Sequence, residues 1–241
     1  MSRRVLVIET STKRCSVAAF VGSECAAQRA ERDDARHLHA ERLMPLVDAV
    51  VADAGWTPQS LEAVAVSAGP GSYTGLRIGV STAKGVCHAL GIPLLALDTL
   101  ELLAHGAELE GSDVAVWPVL DARRLEVYVR PFRVTDGAWT VEGPAAAVDL
   151  REAVPAGSGL EAPALVCIGD AAAKVEALAL RSDATYIACE PDAARAGALL
   201  ERAEPVDLAY FEPRYLKEFQ AGAPKDPLGL RAAALDPPAH A

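Results

Sequence analysis

The sequence has little that would staple, anchor or electrostatically clamp it. Its five cysteines, Cys15, Cys25, Cys87, Cys167 and Cys189, are odd in number, widely spaced and form no Cys-x-x-Cys pair. That argues against both a disulfide framework and a structural zinc site, and leaves them as buried free thiols. Apolar runs fall far short of the about 20 residues a membrane span needs, so no membrane association is expected. The opening MSRRVLVIETSTKRC has two arginines and a short apolar run, but Glu9, Thr10 and Ser11 break it and it alternates like a strand. It does not read as an export signal, and a cytoplasmic location is expected. Basic charge is also scarce: 23 Lys and Arg stand against 33 Asp and Glu, a net charge of −10. Beyond the short spots Arg3-Arg4 and Arg123-Arg124 there is no basic stripe of the kind that displaces counterions from nucleic acid. If nucleic acid is involved, another subunit is expected to grip it.

What is present is a chain of 241 residues, 51% hydrophobic, long enough for one large domain or two small ones. VLVIETS (5–11), CSVAAFVG (15–22) and ECAAQRAE (24–31) read as a three-strand meander joined by turn residues. From 36 to 54 the period becomes helical, with Pro45 expected to kink or divide the helix and Gly55 closing it. A strand at 61–69, a helix from about 74 to 90 stopped by Gly91, a strand at 92–99 and a further helix complete a mixed α/β unit. After a weak boundary at 106–112, strands at 114–122, 125–134, 139–143 and 164–170 and a helix at about 171–180 repeat that order. Two related lobes are therefore expected, at 1–108 and 109–220, with a disordered tail at 221–241.

The stretch SAGPGSYTGLRIGVSTAKG (67–85) invites a phosphate, because a glycine turn entering a helix gathers free N–H groups at the positive end of the dipole. Its spacing fits neither phosphate fingerprint. Gly75 is followed by Leu76 rather than lysine, and Gly69-x-Gly71-x-x-x-Gly75 is one residue too long for the dinucleotide motif. Gly69, Gly71 and Ser72, with Glu9 at the end of the first strand, remain weak cofactor candidates. The other reading is a tight turn in which Ser72 or Thr74 caps a packed helix. On that helix Leu76, Val80, Ala83, Cys87 and Leu90 share one face suited to a sheet, and Arg77, Ser81, Lys84 and His88 share a face that looks solvated. The remaining face, Gly75, Ile78, Gly79, Thr82, Gly85, Val86 and Ala89, is apolar yet nearly stripped of bulk. It would admit another helix closely, whether from this chain, a second copy or a different protein.

His37 and His39 stand two apart, so on a helix they face different ways and do not chelate one ion. Glu9 could position magnesium beside Thr10, Ser11 and Thr12, or simply begin a turn. Asp121, Arg123 and Arg124 are accounted for by a turn with a salt bridge. No catalytic set assembles from spacing, and no metal site or cofactor is expected.

VLVIETST, HAERLMPLVDAVVADAG, VSAGPGSYTGLRIGVSTAKGVCHALGIPLLALDTLELLA, VLDARRLEVYV and PRYL together resemble the bacterial TsaB (YeaZ) family over most of 4–134, with PRYLK (213–217) as a late landmark. The resemblance implies two ribonuclease-H-like lobes of the actin, sugar kinase and Hsp70 ATPase superfamily, the second degenerate. It also implies a non-catalytic role in forming threonylcarbamoyladenosine at position 37 of tRNAs that read codons beginning with A. The expected partners are a TsaD-like transferase and, in the larger complex, a TsaE-like ATPase, with tRNA contacted only indirectly and a possible homodimer in isolation. Family pairing uses the two helices of the first lobe, which places His39, Leu43, Gly75, Ile78, Gly79, Thr82 and Val86 at the expected interface. Gly79 is the sharpest position there for a bulky substitution. Catalytic relatives carry two metal-binding histidines four residues apart; here His39 is followed at that spacing by Leu43. Glu9 stands where the family usually has aspartate, and IGDAAAKV (168–175) resembles a shortened nucleotide-binding turn without paired glycines. The competing functions are an independent ATP-binding enzyme of the kinase type and, least favoured, a peptidase.

Overall fold

The computed structural model describes residues 3–32, 38–107, 109 and 112–217. Strand β1 (Arg4–Glu9) is buried from Val5 onward on both sides, as a central strand covered on two faces must be. It pairs antiparallel with β2 (Arg14–Val21), which pairs antiparallel with β3 (Glu24–Arg32). Helix α1 (Leu38–Asp53) then crosses to β4 (Ala63–Ser67), and α2 (Tyr73–Leu90) to β5 (Leu94–Leu97), both strands parallel to β1. The period-two alternation of β1 sorts the core. Leu6 and Ile8 pack with Val47, Val50, Val80, Ala83 and Cys87 under the two helices, whereas Val5 and Val7 pack on the opposite face with Leu102, Ala193, Ala196 and Leu199. Pro45 lies inside α1 without dividing it; the proline is on the exposed side, where its missing N–H and ring disturb no packing contact.

After α3 (Thr99–Ala104) the strand order recurs. Strand β6 (Asp113–Asp121) is flanked by antiparallel β7 (Glu126–Val129) and β8 (Phe132–Thr135), with β9 (Ala138–Val141) beside β8 and β10 (Ala146–Asp149) beside β7. The expected single strand 125–134 is thus two, interrupted at Arg130-Pro131, because proline has no N–H for the ladder. On its other side β6 runs parallel to β11 (Ala164–Ile168), followed by α4 (Ala172–Glu176) and β12 (Thr185–Ile187). The second unit is reduced. Where the first has the 16-residue α1, the second has a loop at 150–163, and the expected helix at 171–180 is only five residues long.

The chain does not finish in the second sheet. A single 3-10 turn at Ala193–Arg195 and α5 (Gly197–Leu200) cover the back of the first sheet, and β13 (Pro205–Val206) pairs with β5. The second sheet is built from 113–187, so a division placing all of 109–220 in one unit differs from this topology. The cause is the apolar back face of β1, which needs Ala193, Ala196 and Leu199 as cover. The tail expected at 221–241 lies outside the described residues.

Candidate functional site

The four weak cofactor candidates converge, but onto the chain itself. Glu9 is wholly buried and its carboxylate accepts the Ser11 backbone N–H and the Ser67 hydroxyl. Burial is the dominant influence and raises its pKa above the ordinary carboxylate range, opposed by those hydrogen bonds. The glycine loop closes over the β1–β2 turn: Ser72 N–H donates to the Ser11 carbonyl at 2.6 Å, and a Cβ on Gly71 would stand 2.6 Å from the Ser11 Cβ. Gly69, at φ +109, sits where a Cβ would meet the Arg214 carbonyl at 2.4 Å. Its N–H donates to Thr99 Oγ1 at 3.2 Å, and the neighbouring Ala68 carbonyl accepts Arg214 N–H at 2.6 Å. Ser72 caps α2 by accepting Gly75 N–H at 3.2 Å. The loop's N–H groups at Gly69, Ser72 and Gly75 are therefore taken by the protein. A phosphate would have to do without these three donors, and Glu9 is turned to Ser11 and Ser67.

The pairing set also divides. Gly75 and Gly79 are buried, and what covers them is Thr10: a Cβ on Gly75 would meet the Thr10 carbonyl at 2.0 Å, and one on Gly79 the Thr10 hydroxyl at 2.2 Å. The Thr10 hydroxyl donates to the Gly75 carbonyl at 2.8 Å, fastening the turn to the helix. Leu43 is 1% exposed in the core. These three are corrected from partner contacts to internal ones, and Gly79 is unsuitable for a bulky test residue. Ile78, Thr82, Val86 and His39 are half-buried, Gly85 and Ala89 are exposed, and Met44 of α1 is 43% exposed. No atom outside its own stretch of helix lies within 4 Å of where a Gly85 Cβ would be. The open part of the small-residue face is thus centred on Gly85, which helical periodicity could not separate from Gly75 and Gly79.

The face expected to be solvated is partly overlaid by the returning chain. Lys84 Nζ donates to the Ala209 and Phe211 carbonyls at 3.1 Å each. Arg77 lies over the Tyr73 ring, 4.9 Å from its centroid, and that ring packs against Tyr215 at 4.8 Å. Tyr73, Arg214 and Tyr215 are not marked out by pattern, and Thr10 is marked only as a neighbour of Glu9, not as the cover of α2. The landmark PRYLK was the available signal for Arg214 and Tyr215.

His37 lies outside the described residues. Among the described residues no group of three His, Cys, Asp or Glu is placed to hold a metal ion, and no helix is long and apolar enough to cross a membrane. Cys15, Cys87 and Cys167 are buried free thiols, with desolvation pushing Cys15 and Cys167 up to about 12 and Cys87 to about 11. Cys25 is exposed on β3, contrary to expectation.

Comparison with known proteins bears on this geometry. The TsaD family model, described as tRNA N6-adenosine threonylcarbamoyltransferase, matches residues 32–221. The solved structure of YeaZ from Pseudomonas aeruginosa is similar over 89% of this chain and 100% of its own, at 30% identity and a TM-score of 0.75. The chain belongs to the TsaB (YeaZ) family. It is 32% identical over 137 residues to the tRNA threonylcarbamoyladenosine biosynthesis protein TsaB of Escherichia coli, covering 56% of this chain and 58% of that relative. To the protein of the same description in Bacillus subtilis it is 41% identical over 100 residues, 41% of this chain and 42% of the relative. The matched stretch spans about half the length of these curated relatives. The similarity to YeaZ and the strand orders give a mixed α/β fold of two sheets with a recurring strand order, the second unit reduced.

Proposed function

We propose that this TsaB-family chain is a non-catalytic scaffold in the assembly that forms threonylcarbamoyladenosine at position 37 of tRNA. It would pair with a TsaD-like transferase through the open α1–α2 face on the first lobe, in the cytoplasm, with a TsaE-like ATPase joining the larger complex. The observation that carries this reading is the closed junction at Glu9. The carboxylate that would face a metal is buried under Ser11 and Ser67, and the glycine loop is fastened to the β1–β2 turn. The departure at Leu43, a core residue where catalytic relatives have a histidine, supports the same reading. A net charge of −10 fits indirect contact with tRNA. In isolation the face around Gly85 would make a homodimer.

The test is co-purification with the TsaD-like subunit of the same source, followed by tRNA modification with and without this chain. Gly85→Trp is the discriminating variant because the position is open. It is expected to fold as wild type, to weaken pairing at least about tenfold through a clash at the seam, and to reduce modification in parallel. Pairing at wild-type affinity would show that the face is wrong. Tight binding of magnesium-ATP by the isolated chain in calorimetry would instead favour an independent ATP-using enzyme.

Gly85→Ala gives a second measurement on the isolated protein. Glycine in an exposed helix interior is disfavoured against alanine by about 0.5–1 kcal/mol. Urea denaturation should show a gain of that size, and a loss would mean the site is not open in solution.

A further inference from the structure

Two stretches marked out in the sequence, VLDARRLEVYV and PRYLK, have no part in the pairing face, yet the fold joins them at one turn. Lys217 donates to the Ala122 carbonyl at 3.2 Å and pairs with Glu126. From α4, Lys174 pairs with Asp121 at 2.6 Å and donates to the Arg124 carbonyl at 3.1 Å. Asp121 accepts the Arg123 N–H at 2.6 Å, its own N–H donates to Asp170 at 2.8 Å, and Glu126 N–H closes on the Arg123 carbonyl at 3.2 Å. The salt bridge expected at this turn therefore forms with Lys174 and not with either arginine. Both lysines and three nearby carboxylates are used to hold the backbone between β6 and β7.

That backbone holds Arg123 at φ +66 and Arg124 at φ +53. A Cβ disfavours this left-handed region, and glycine or asparagine takes it readily. Two consecutive arginines are poor residues for such a turn if folding alone is at stake. Both are exposed, and neither guanidinium has an acidic partner among the described residues. Leu125, next to them, is 54% exposed. The fold accepts local strain to present two unpaired cations and one apolar side chain on a fixed support, in a chain that is acidic overall.

We propose that the Arg123–Arg124–Leu125 tip docks an acidic protein segment that also offers an apolar residue. Arginine is enriched among the residues that anchor protein interfaces, Leu125 offers apolar area to bury beside the two arginines, and a preformed tip loses little freedom on binding. A nucleic acid fits less well. Lys174 and Lys217 are already paired, two arginines alone displace few counterions, and a phosphate backbone gives Leu125 nothing to bury against.

The experiment uses the full chain and a fluorescein-labelled 12-residue peptide of glutamates with two leucines, followed by polarisation at low salt. A single-stranded RNA 12-mer is the parallel probe. The double variant Arg123→Asn with Arg124→Gly suits the backbone, so its melting temperature should be no lower than wild type. Wild type is expected to bind the peptide saturably, the double variant about tenfold more weakly, and Leu125→Ser more weakly than wild type but less so than the double variant. No saturable peptide binding, unchanged affinity in the double variant, or RNA binding tighter than the peptide would each overturn the proposal. A marked fall in melting temperature of the double variant would overturn the claim that these arginines strain the turn.

Discussion

Gly75→Ala is expected to destabilise the isolated chain by about 3 kcal/mol, the upper range for forcing atoms into a packed interior. The added methyl would stand 2.0 Å from the Thr10 carbonyl oxygen, and that atom is not free to swing aside. Thr10 follows β1 directly, its hydroxyl is bonded to the Gly75 carbonyl, and the next residue is tied to the glycine loop through Ser72. Relief would require moving the β1–β2 turn or tilting α2 away from the sheet, where Leu76, Val80, Ala83 and Cys87 are buried. Urea denaturation with an unchanged m-value and a lower midpoint would show the loss as one of stability. The contrast with Gly85→Ala, ten residues along the same helix and expected to gain stability, makes the pair decisive. If both substitutions behave alike, the assignment of one glycine to the interior and the other to the surface is wrong.

That contrast marks the limit of the sequence as a source. Helical period places Gly75, Gly79 and Gly85 on one face correctly, because azimuth depends only on residue number. What covers the face depends on Thr10, which is 65 positions from Gly75 and carries no pattern of its own. The strands β1, β2 and β3, helix α2 with its Ser72 cap and Gly91 stop, and the face Leu76, Val80, Ala83 and Cys87 were legible for the same local reason. The return of 193–211 to the first sheet was not. Ala193, Ala196 and Leu199 form only a short apolar set, and their partner surface is the back of β1, nearly the whole chain away. The glycine loop was ambiguous because phosphate cradles and tight chain crossings both demand glycine. The closed hydrogen bonds of Ser72 and Gly69 favour the crossing.

Glu9 supplies the second large effect. Glu9→Ala removes the acceptor for Ser11 N–H and for the Ser67 hydroxyl in a site with no exposure. An unsatisfied buried donor costs about 1–3 kcal/mol, and the lost side chain leaves a cavity besides, so a loss of about 3–5 kcal/mol is expected. Glu9→Gln is different: its carbonyl oxygen can accept from Ser11 N–H while its amide donates to the Ser67 oxygen, and no charge is buried. The sign with pH follows from the raised pKa. The folded chain holds the Glu9 proton more tightly than the unfolded chain, so this group's contribution is fully present below the unfolded carboxylate value near about 4.3. It is lost as pH rises through the folded value. The stability of Glu9→Gln relative to wild type should therefore increase from pH 4.5 to pH 8, measured as the difference between urea midpoints so that all other titrating groups cancel. A gap that stays flat with pH would mean the carboxylate is solvated in solution. A scaffold also requires that Glu9→Gln, mixed with the TsaD-like subunit, sustain tRNA modification at the wild-type level. A folded Glu9→Gln protein that pairs normally yet abolishes modification would move Glu9 into the chemistry and overturn the non-catalytic reading.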